Sequence, residues 1–364
     1  MPFDHGTFAV SIFALSEKLP EDYLAKFEGI KAGVLDAVKD EPQVGWVSGR
    51  HLLETTIDEV TALCGGHLYL NLRTAERKIP SSLLNAICRR EELAYMQANE
   101  TSMVPFKQKK MIKEEAIEKN LMKMPPSISG TPMVIDMASK MLYLGTGSSA
   151  QIDNFIAHFY KTLNIEPIQV TPAWILEKRF EMTEVSLPTV MFSENCDDEM
   201  TPGRDFLTWL WYYSECDEGA ITVEQYGEFV FVIEAPLTFA FSAEARGAGE
   251  TTLKKGDSPL RAAEAKAALT VGKKLKKSKF ILARGADTWS GTFDADTFTF
   301  SGMTLPEGEE MDRDSRFAER IDNLHIFQTV FREYFALFVK TVTAPNWSEV
   351  EEKIQRWSAE RDSR

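Results

Sequence analysis

Residues 104–145 constrain the fold more than any other stretch of this sequence. They begin with a basic run, FKQKKMIK, at 106–113. On a helix, Lys109, Lys110 and Lys113 would crowd one face, because residues three and four apart are neighbours there. After Pro125 and Pro126, two short apolar runs at 132–136 and 140–144 are joined by a turn, which predicts a β-hairpin. The fold therefore has to combine a sheet with a basic helical excursion.

The lysine run admits two interpretations. Like charges at helical spacing repel each other, so the face is destabilising unless an anion lies opposite it. The alternative is a solvated surface whose charge is relieved by Glu114, Glu115 and Glu118. The residues by themselves leave both interpretations open.

Periodicity predicts the remaining elements. Alternation of apolar and polar residues indicates strands, and apolar residues at helical spacing indicate helices. Strands are predicted at 6–15, 66–73 and 166–170, and helices at 23–38, 80–97 and 148–163. The second half predicts a helix at 204–216, two strands within 228–242 broken at Pro236, a helix at 259–271, a meander over 279–301 and two terminal helices. This order is typical of an α+β protein with mixed or antiparallel sheets, a projecting helical arm and C-terminal helices.

Four regions follow from this order. An N-terminal α+β sheet domain is predicted at 1–75 and 131–172, and it is interrupted by the arm (residues 76–130). A second α+β domain is predicted at 173–310, and the C-terminal helices at 311–364. An aromatic stripe on the first of these helices suits either a core or a subunit interface. Its members are Phe317, Ile321, Leu324, Phe331, Phe335 and Phe338.

Charge is segregated along the chain. The net charge is −14, yet residues 73–123 carry +4 and residues 254–284 carry +8. An acidic protein with basic patches can still bind a polyanion, because the local potential governs encounter. The competing interpretation is that acidic neighbours neutralise these lysines in the fold. The second patch has few interleaved aromatic residues, so contact with a phosphate backbone is predicted rather than base stacking.

No motif predicts catalysis or a cofactor. Cys64, Cys88, Cys196 and Cys216 lack metal-like spacing, and free thiols indicate a cytoplasmic protein. No apolar run is long enough to cross a membrane. GTGSSA at 145–150 resembles a dinucleotide fingerprint, but turn glycines followed by a helix cap explain it better. The carboxylate groups that could hold metal ions lie in hydrophilic turns, at 197–199, 294–296 and 312–314.

The order of these features resembles the RdgC family of recombination-associated proteins. The matching passages are VGWV at 44–47, LNLR at 70–73, KIPSS at 78–82, TPMVID at 131–136, PIQVT at 167–171, GK at 272–273 and FAER at 317–320. Three departures stand out. Pro125 and Pro126 replace a phenylalanine near the tip of the arm, Gly256 replaces a polar residue, and the region 182–250 is expanded.

The resemblance implies a nucleoid-associated protein that binds duplex DNA without sequence preference. It also implies a ring-shaped homodimer that restrains loading of the recombinase RecA. Charge and resemblance together select nine candidate DNA-binding residues, with no catalytic or metal-binding residue among them. They are Lys107, Lys109, Lys110, Lys113, Lys123, Lys254, Lys255, Lys273 and Lys274.

Two further hypotheses compete with non-enzymatic DNA binding. One is a metal-dependent exonuclease that uses carboxylates such as Asp294 and Asp296. The other is a protein-interaction module whose terminal aromatic stripe binds a partner. This last hypothesis requires that the stripe is not buried within one protomer.

Overall fold

The positions of strands and helices follow the predicted periodicities closely. The computed structural model describes residues 3–196, 199–242, 249–254, 259–308 and 312–361. The strands are β1 Phe8–Leu15, β2 Gln43–Ser48, β3 Leu63–Cys64, β4 His67–Glu76, β5 Ser127–Asp136, β6 Met141–Leu144, β7 Pro167–Gln169, β8 Ala220–Val223, β9 Gly227–Ala240, β10 Glu250–Leu253, β11 Lys274–Arg284, β12 Asp287–Asp294 and β13 Thr299–Thr304. Every pairing between these strands whose register is known is antiparallel.

The helices account for most of the remaining chain. They are α1 Tyr23–Gly29, α2 Glu59–Ala62, α3 Ser81–Ala98, α4 Phe106–Asn120, α5 Ser149–Leu163, α6 Pro172–Phe180, α7 Pro202–Cys216, α8 Ala263–Thr270, α9 Arg313–Val342 and α10 Trp347–Glu360. The mixture of helices and antiparallel sheet confirms the predicted α+β class. Within the described ranges, no helix is both long enough and apolar enough to cross a bilayer.

The chain forms two compact units. The first comprises Met1–Leu19, Cys64–Leu68 and Val134–Arg364, and the second comprises Pro20–Leu63 and Tyr69–Met133. The division into four regions stays a prediction.

In the first unit the strands lie in the order β10-β9-β11-β12-β13-β1-β6. Helices α7 and α9 pack against this sheet through a continuous aromatic core. Phe331 of α9 contacts rings from β9, β12 and β13, at centroid distances of 6.3, 4.9 and 5.0 Å. All six residues of the predicted aromatic stripe are buried in this unit, at 3% exposure or less. The stripe is therefore core, and the interaction-module hypothesis loses the surface that motivated it.

The expanded region 182–250 is part of this core. It supplies α7, whose Phe206, Leu207, Leu210 and Trp211 are fully buried, and it supplies β8 and β9. The region is thus a structural component of the unit rather than a surface addition.

Two element predictions were wrong. The helix predicted over 23–38 ends at Gly29, and Val34 is exposed beyond it. Glycine is a poor helix former, and the carbonyl of Ile30 instead accepts a hydrogen bond from the amide of Trp46. The two strands predicted around Pro236 form one strand, β9. Leu237 pairs with Ser278 and Glu234 with Lys279, so Ala235 and Pro236 form a bulge that needs no donor from proline.

In the second unit, β2 pairs with β4 over the register from Gln43–Ala75 to Ser48–Leu70, and β5 neighbours β4. Arg73 of β4 is buried and donates to the carbonyl oxygens of Leu52 and Gly33, which fixes two loops to the sheet. Burial lowers the pKa of its guanidinium. The unit continues into helices α3 and α4 of the arm.

Candidate nucleic-acid interface

Helices α3 and α4 form the helical part of the arm, and both belong to the second unit. On α4, only Ile112 and Ala116 are buried, and with Ile87 and Ala94 of α3 they line the cleft between the two helices. Their i, i+4 spacing places one apolar stripe against α3. Every lysine of α4 is exposed, which leaves these side chains available for contacts outside the arm.

Four exposed side chains share one face of α4. Phe106, Lys109, Lys110 and Lys113 follow the i, i+3, i+4, i+7 pattern that aligns residues along a helix, and we call them the arm stripe. The prediction that the three lysines crowd together is confirmed by this geometry. Lys107 is also exposed, but it lies on the neighbouring face of the helix with Met111, Glu114 and Glu118.

Acidic residues neutralise the positive charge of the arm stripe only in part. Lys110 lies 3.7 Å from a carboxylate oxygen of Glu114, and both side chains are well exposed. Exposed pairs of this kind contribute about 0–1 kcal/mol. Glu115 pairs with Lys119 at 3.0 Å instead. Lys107, Lys109 and Lys113 form no ion pair with any residue that the structure describes, so their ammonium groups remain available to an external anion.

Lys123 lies just beyond α4, in a short 3₁₀ turn at Leu121–Lys123. Its Nζ donates to Oδ1 of Asn120 at 3.3 Å, and its side chain is exposed. From 106 to 123 the chain carries six lysines and three glutamates, a net charge of +3. The whole predicted arm set is thus exposed on one continuous segment.

The second basic segment is different. Lys254 is exposed at the end of β10, and Lys255 lies outside the described residues. Lys273 is buried, donates to Oγ1 of Thr251 at 2.6 Å and lies 4.9 Å from the ring centroid of Phe241. Lys274 is fully buried. The predicted contact of Lys273 and Lys274 with DNA is therefore corrected, because neither ammonium group is presented to solvent.

Lys274 forms a buried ion pair with Asp205 of α7. The Nζ–Oδ1 distance is 2.6 Å, and the side chains are 0% and 3% exposed. Asp205 also accepts from the amide of Val190 and the hydroxyl of Thr201. Burial raises the pKa of the Asp205 carboxyl, although the ammonium group of Lys274 opposes this shift. This pair joins α7 to β11 and serves the core.

Four further cations of this segment, all on β11, meet carboxylates from neighbouring strands and turns. Lys276 pairs with Glu250 and Asp296, Lys277 with Asp294, Lys279 with Glu234 and Arg284 with Asp287. The sequence left this neutralisation open as the competing interpretation and could not identify the partners, because these carboxylates lie outside the basic run. The alternation of β11 across its sheet was the one available signal, since it separates the lysines onto two faces.

The carboxylates considered for metal binding have structural partners. Asp296 accepts two hydrogen bonds from Arg204, at 2.6 and 2.8 Å, and this guanidinium helps to lower the pKa of the carboxyl against the opposing effect of burial. Asp294 accepts from two amides of its own turn, and Asp312 caps α9. Asp197 and Asp198 lie outside the described residues. Among the residues that the structure describes, no three His, Cys, Asp or Glu side chains gather where they could hold a metal ion.

The glycine motif at 145–150 is a turn followed by a helix. Strand β6 before it runs antiparallel to β1, and the carbonyl of Thr146 accepts from the buried hydroxyl of Ser11. A dinucleotide fingerprint follows a strand of a parallel βαβ unit, which this arrangement lacks. The glycines lie in the loop before α5, as predicted, but the predicted serine cap was wrong, because the side chain of Ser148 at the N-cap position makes no hydrogen bond to the helix.

Comparison with known protein families gives a match. Residues 16–184 match the family model described as "RdgC: Putative exonuclease, RdgC". No curated protein matches the sequence. The match covers the second unit, including the whole arm, and continues through α6. The match over residues 16–184 supports the membership in the RdgC family that the resemblance predicted.

Proposed function

We propose that the protein is a non-enzymatic, nucleoid-associated protein that binds duplex DNA without sequence preference and modulates homologous recombination. The observation that carries the proposal is the set of exposed lysines on α4, of which Lys109 and Lys113 form no ion pair with a described residue. Ammonium groups bind phosphates as point charges and read no base edges. Lys107, Lys123 and Lys254 extend the proposed contact set, whereas Lys273 and Lys274 do not belong to it.

The proposal is tested by charge reversal. We expect the variant K109E/K110E/K113E to bind short duplexes of unrelated sequence more weakly, with a similar loss for each. Because each lost phosphate contact removes about 0.9 from the slope of log K against log salt, the slope should become shallower by about 3. Binding is measured by fluorescence anisotropy from about 50 to about 200 mM salt.

The matched control reverses three exposed lysines outside the arm, as K18E/K161E/K340E. This control has the same net charge and should keep the affinity and salt slope of the wild type. Equal losses in both variants would mean that overall charge, rather than α4, governs binding. The same reactions with Mg²⁺, followed by a gel for strand length, test the exonuclease alternative, for which DNA shortening is required.

The partners in this proposal are a second copy of the chain and, functionally, RecA. Helix α3 supports self-association, because none of its eighteen residues is fully buried and Leu83 and Leu93 are 41% and 50% exposed. A two-helix arm leaves such side chains uncovered, and a homodimer that closes a ring on DNA would cover them.

Self-association gives a second expected outcome. Sedimentation should give twice the chain mass for the wild type, and L83E/L93E should shift the equilibrium toward monomer because charge disfavours an apolar contact. A matched control is V185E, at a residue that is exposed outside the arm. A wild type that sediments as a monomer would contradict the homodimer.

The effect on RecA is measured in the same preparations. RecA-promoted strand exchange should slow with the wild type and not with K109E/K110E/K113E.

A further inference from the structure

Phe106 is the most solvent-exposed large hydrophobic residue among those that the structure describes, at 86%. It is the first residue of α4 and follows the loop from α3, where Met103 is 79% exposed. An aromatic ring of this size in water is unfavourable, and exposed aromatic side chains are typical of binding surfaces. The position therefore points to an occupant that covers the ring.

The neighbours of Phe106 restrict the chemistry of that occupant. Phe106 belongs to the arm stripe, so Lys109 and Lys110 lie one turn along the same face and Lys113 lies two turns along it. An occupant must therefore present a flat apolar surface about one helical turn from negative charge. A nucleotide has this combination, because its base has an apolar π-face and its phosphate is an anion.

A second copy of the chain fits this face less well. In a twofold-symmetric interface the same patch meets itself, so the lysines of one stripe would lie near those of the other. Like charges that are brought together in this way are destabilising. A polyanion neutralises the same lysines.

We propose that the ring of Phe106 stacks on an unpaired base while Lys109 and Lys113 contact the flanking phosphates. The protein would then prefer DNA that contains an unpaired base over a perfect duplex. Stacking discriminates little between bases, since every base has a π-face, so this preference is for DNA structure and not for sequence. The inference rests on the proposed function, because it uses the same lysine contacts.

The test compares a perfect duplex with the same duplex carrying a one-nucleotide 2-aminopurine bulge. We expect the wild type to bind the bulged duplex about tenfold more tightly, a typical effect of one base–aromatic stack. Binding should quench the 2-aminopurine fluorescence. The variant F106A should lose the preference and the quenching while it keeps the affinity and salt slope for the perfect duplex. F106W should retain both, and the control M103A, at the exposed neighbour outside the arm stripe, should behave like the wild type.

Equal binding of the two duplexes by the wild type would overturn the inference. An equal loss of affinity for both duplexes in F106A would also overturn it, and so would a shift of F106A toward monomer in sedimentation. In either case Phe106 would serve folding or self-association. These outcomes are separate from failure of the proposed function. If the proposed function fails, neither the wild type nor any variant binds either duplex.

Discussion

Lys274→Met is expected to lower the free energy of unfolding by about 3–5 kcal/mol, because it leaves a buried carboxylate without its partner. Asp205 is 2% exposed, and Lys274 is its one ion-pair partner within the described ranges. Methionine fills a similar volume, so packing changes little. The measurement is urea unfolding followed by tryptophan fluorescence.

The stability that Lys274→Met removes should depend on pH. Burial already holds the pKa of Asp205 above its ordinary value in the folded protein. The folded state therefore keeps a proton on this group at a pH where the unfolded chain has released it, and its contribution to stability declines as pH rises through the folded pKa. Without the cation that lowers it, this pKa rises further. The destabilisation by Lys274→Met should thus be larger at about pH 8 than at about pH 5.

Two variants make this result specific. In D205N/K274M no buried charge remains, so most of the lost stability should return. Lys277→Met removes a lysine that lies 3.6 Å from Asp294 and is 41% exposed, so it should change stability by about 1 kcal/mol or less. If Lys274→Met and Lys277→Met have equal effects, the buried pair is not what joins α7 to β11.

Phe331→Ala is the second large effect, with an expected loss of about 3–5 kcal/mol from the removed contacts and the cavity that remains. The ring of Phe331 lies between 4.9 and 6.3 Å from the rings of six other phenylalanines. Aromatic pairs add about 0.5–1.5 kcal/mol each beyond burial, so the loss should fall at the upper end of this range. The measurement is again the urea midpoint and slope.

Phe106→Ala is the matched control, because it is the same substitution at an exposed phenylalanine of another helix. It should change stability by about 0.5 kcal/mol or less. A small effect of Phe331→Ala would show that the aromatic stripe of α9 does not hold the core together, and the interaction-module hypothesis would regain its surface.

Local pattern predicted the regular elements well where one periodicity was strong. The helix predicted at 80–97 is α3 at Ser81–Ala98, and the one at 148–163 is α5 at Ser149–Leu163. Prediction was weaker where a glycine or a proline interrupted the pattern. Helical spacing continued past Gly29 although the helix ends there, and β9 continued past Pro236 because a bulge absorbs it. In both places a hydrogen bond with another strand, which no local window contains, decided the outcome.

The two basic segments show the same limit for the candidate interface. Both have a high local density of lysine, and the one at 254–284 has the higher net charge. Folding pairs four of the eight lysines of that second segment with carboxylates, because Asp205, Glu234, Glu250, Asp294 and Asp296 approach them from other elements. The arm keeps its charge because α4 packs mainly against α3, and among the residues that the structure describes glutamates pair with only two of its lysines, Lys110 and Lys119.

The arm stripe of α4 is a property of residue spacing alone, since a helix of fixed pitch must bring residues 106, 109, 110 and 113 to one face. The α+β class follows from local periodicity in the same way. Which lysines remain in solvent is a property of the tertiary structure. Coulomb interactions depend on distance in space, and the carboxylates that neutralise 254–284 lie as far as 69 residues away along the chain, as between Asp205 and Lys274.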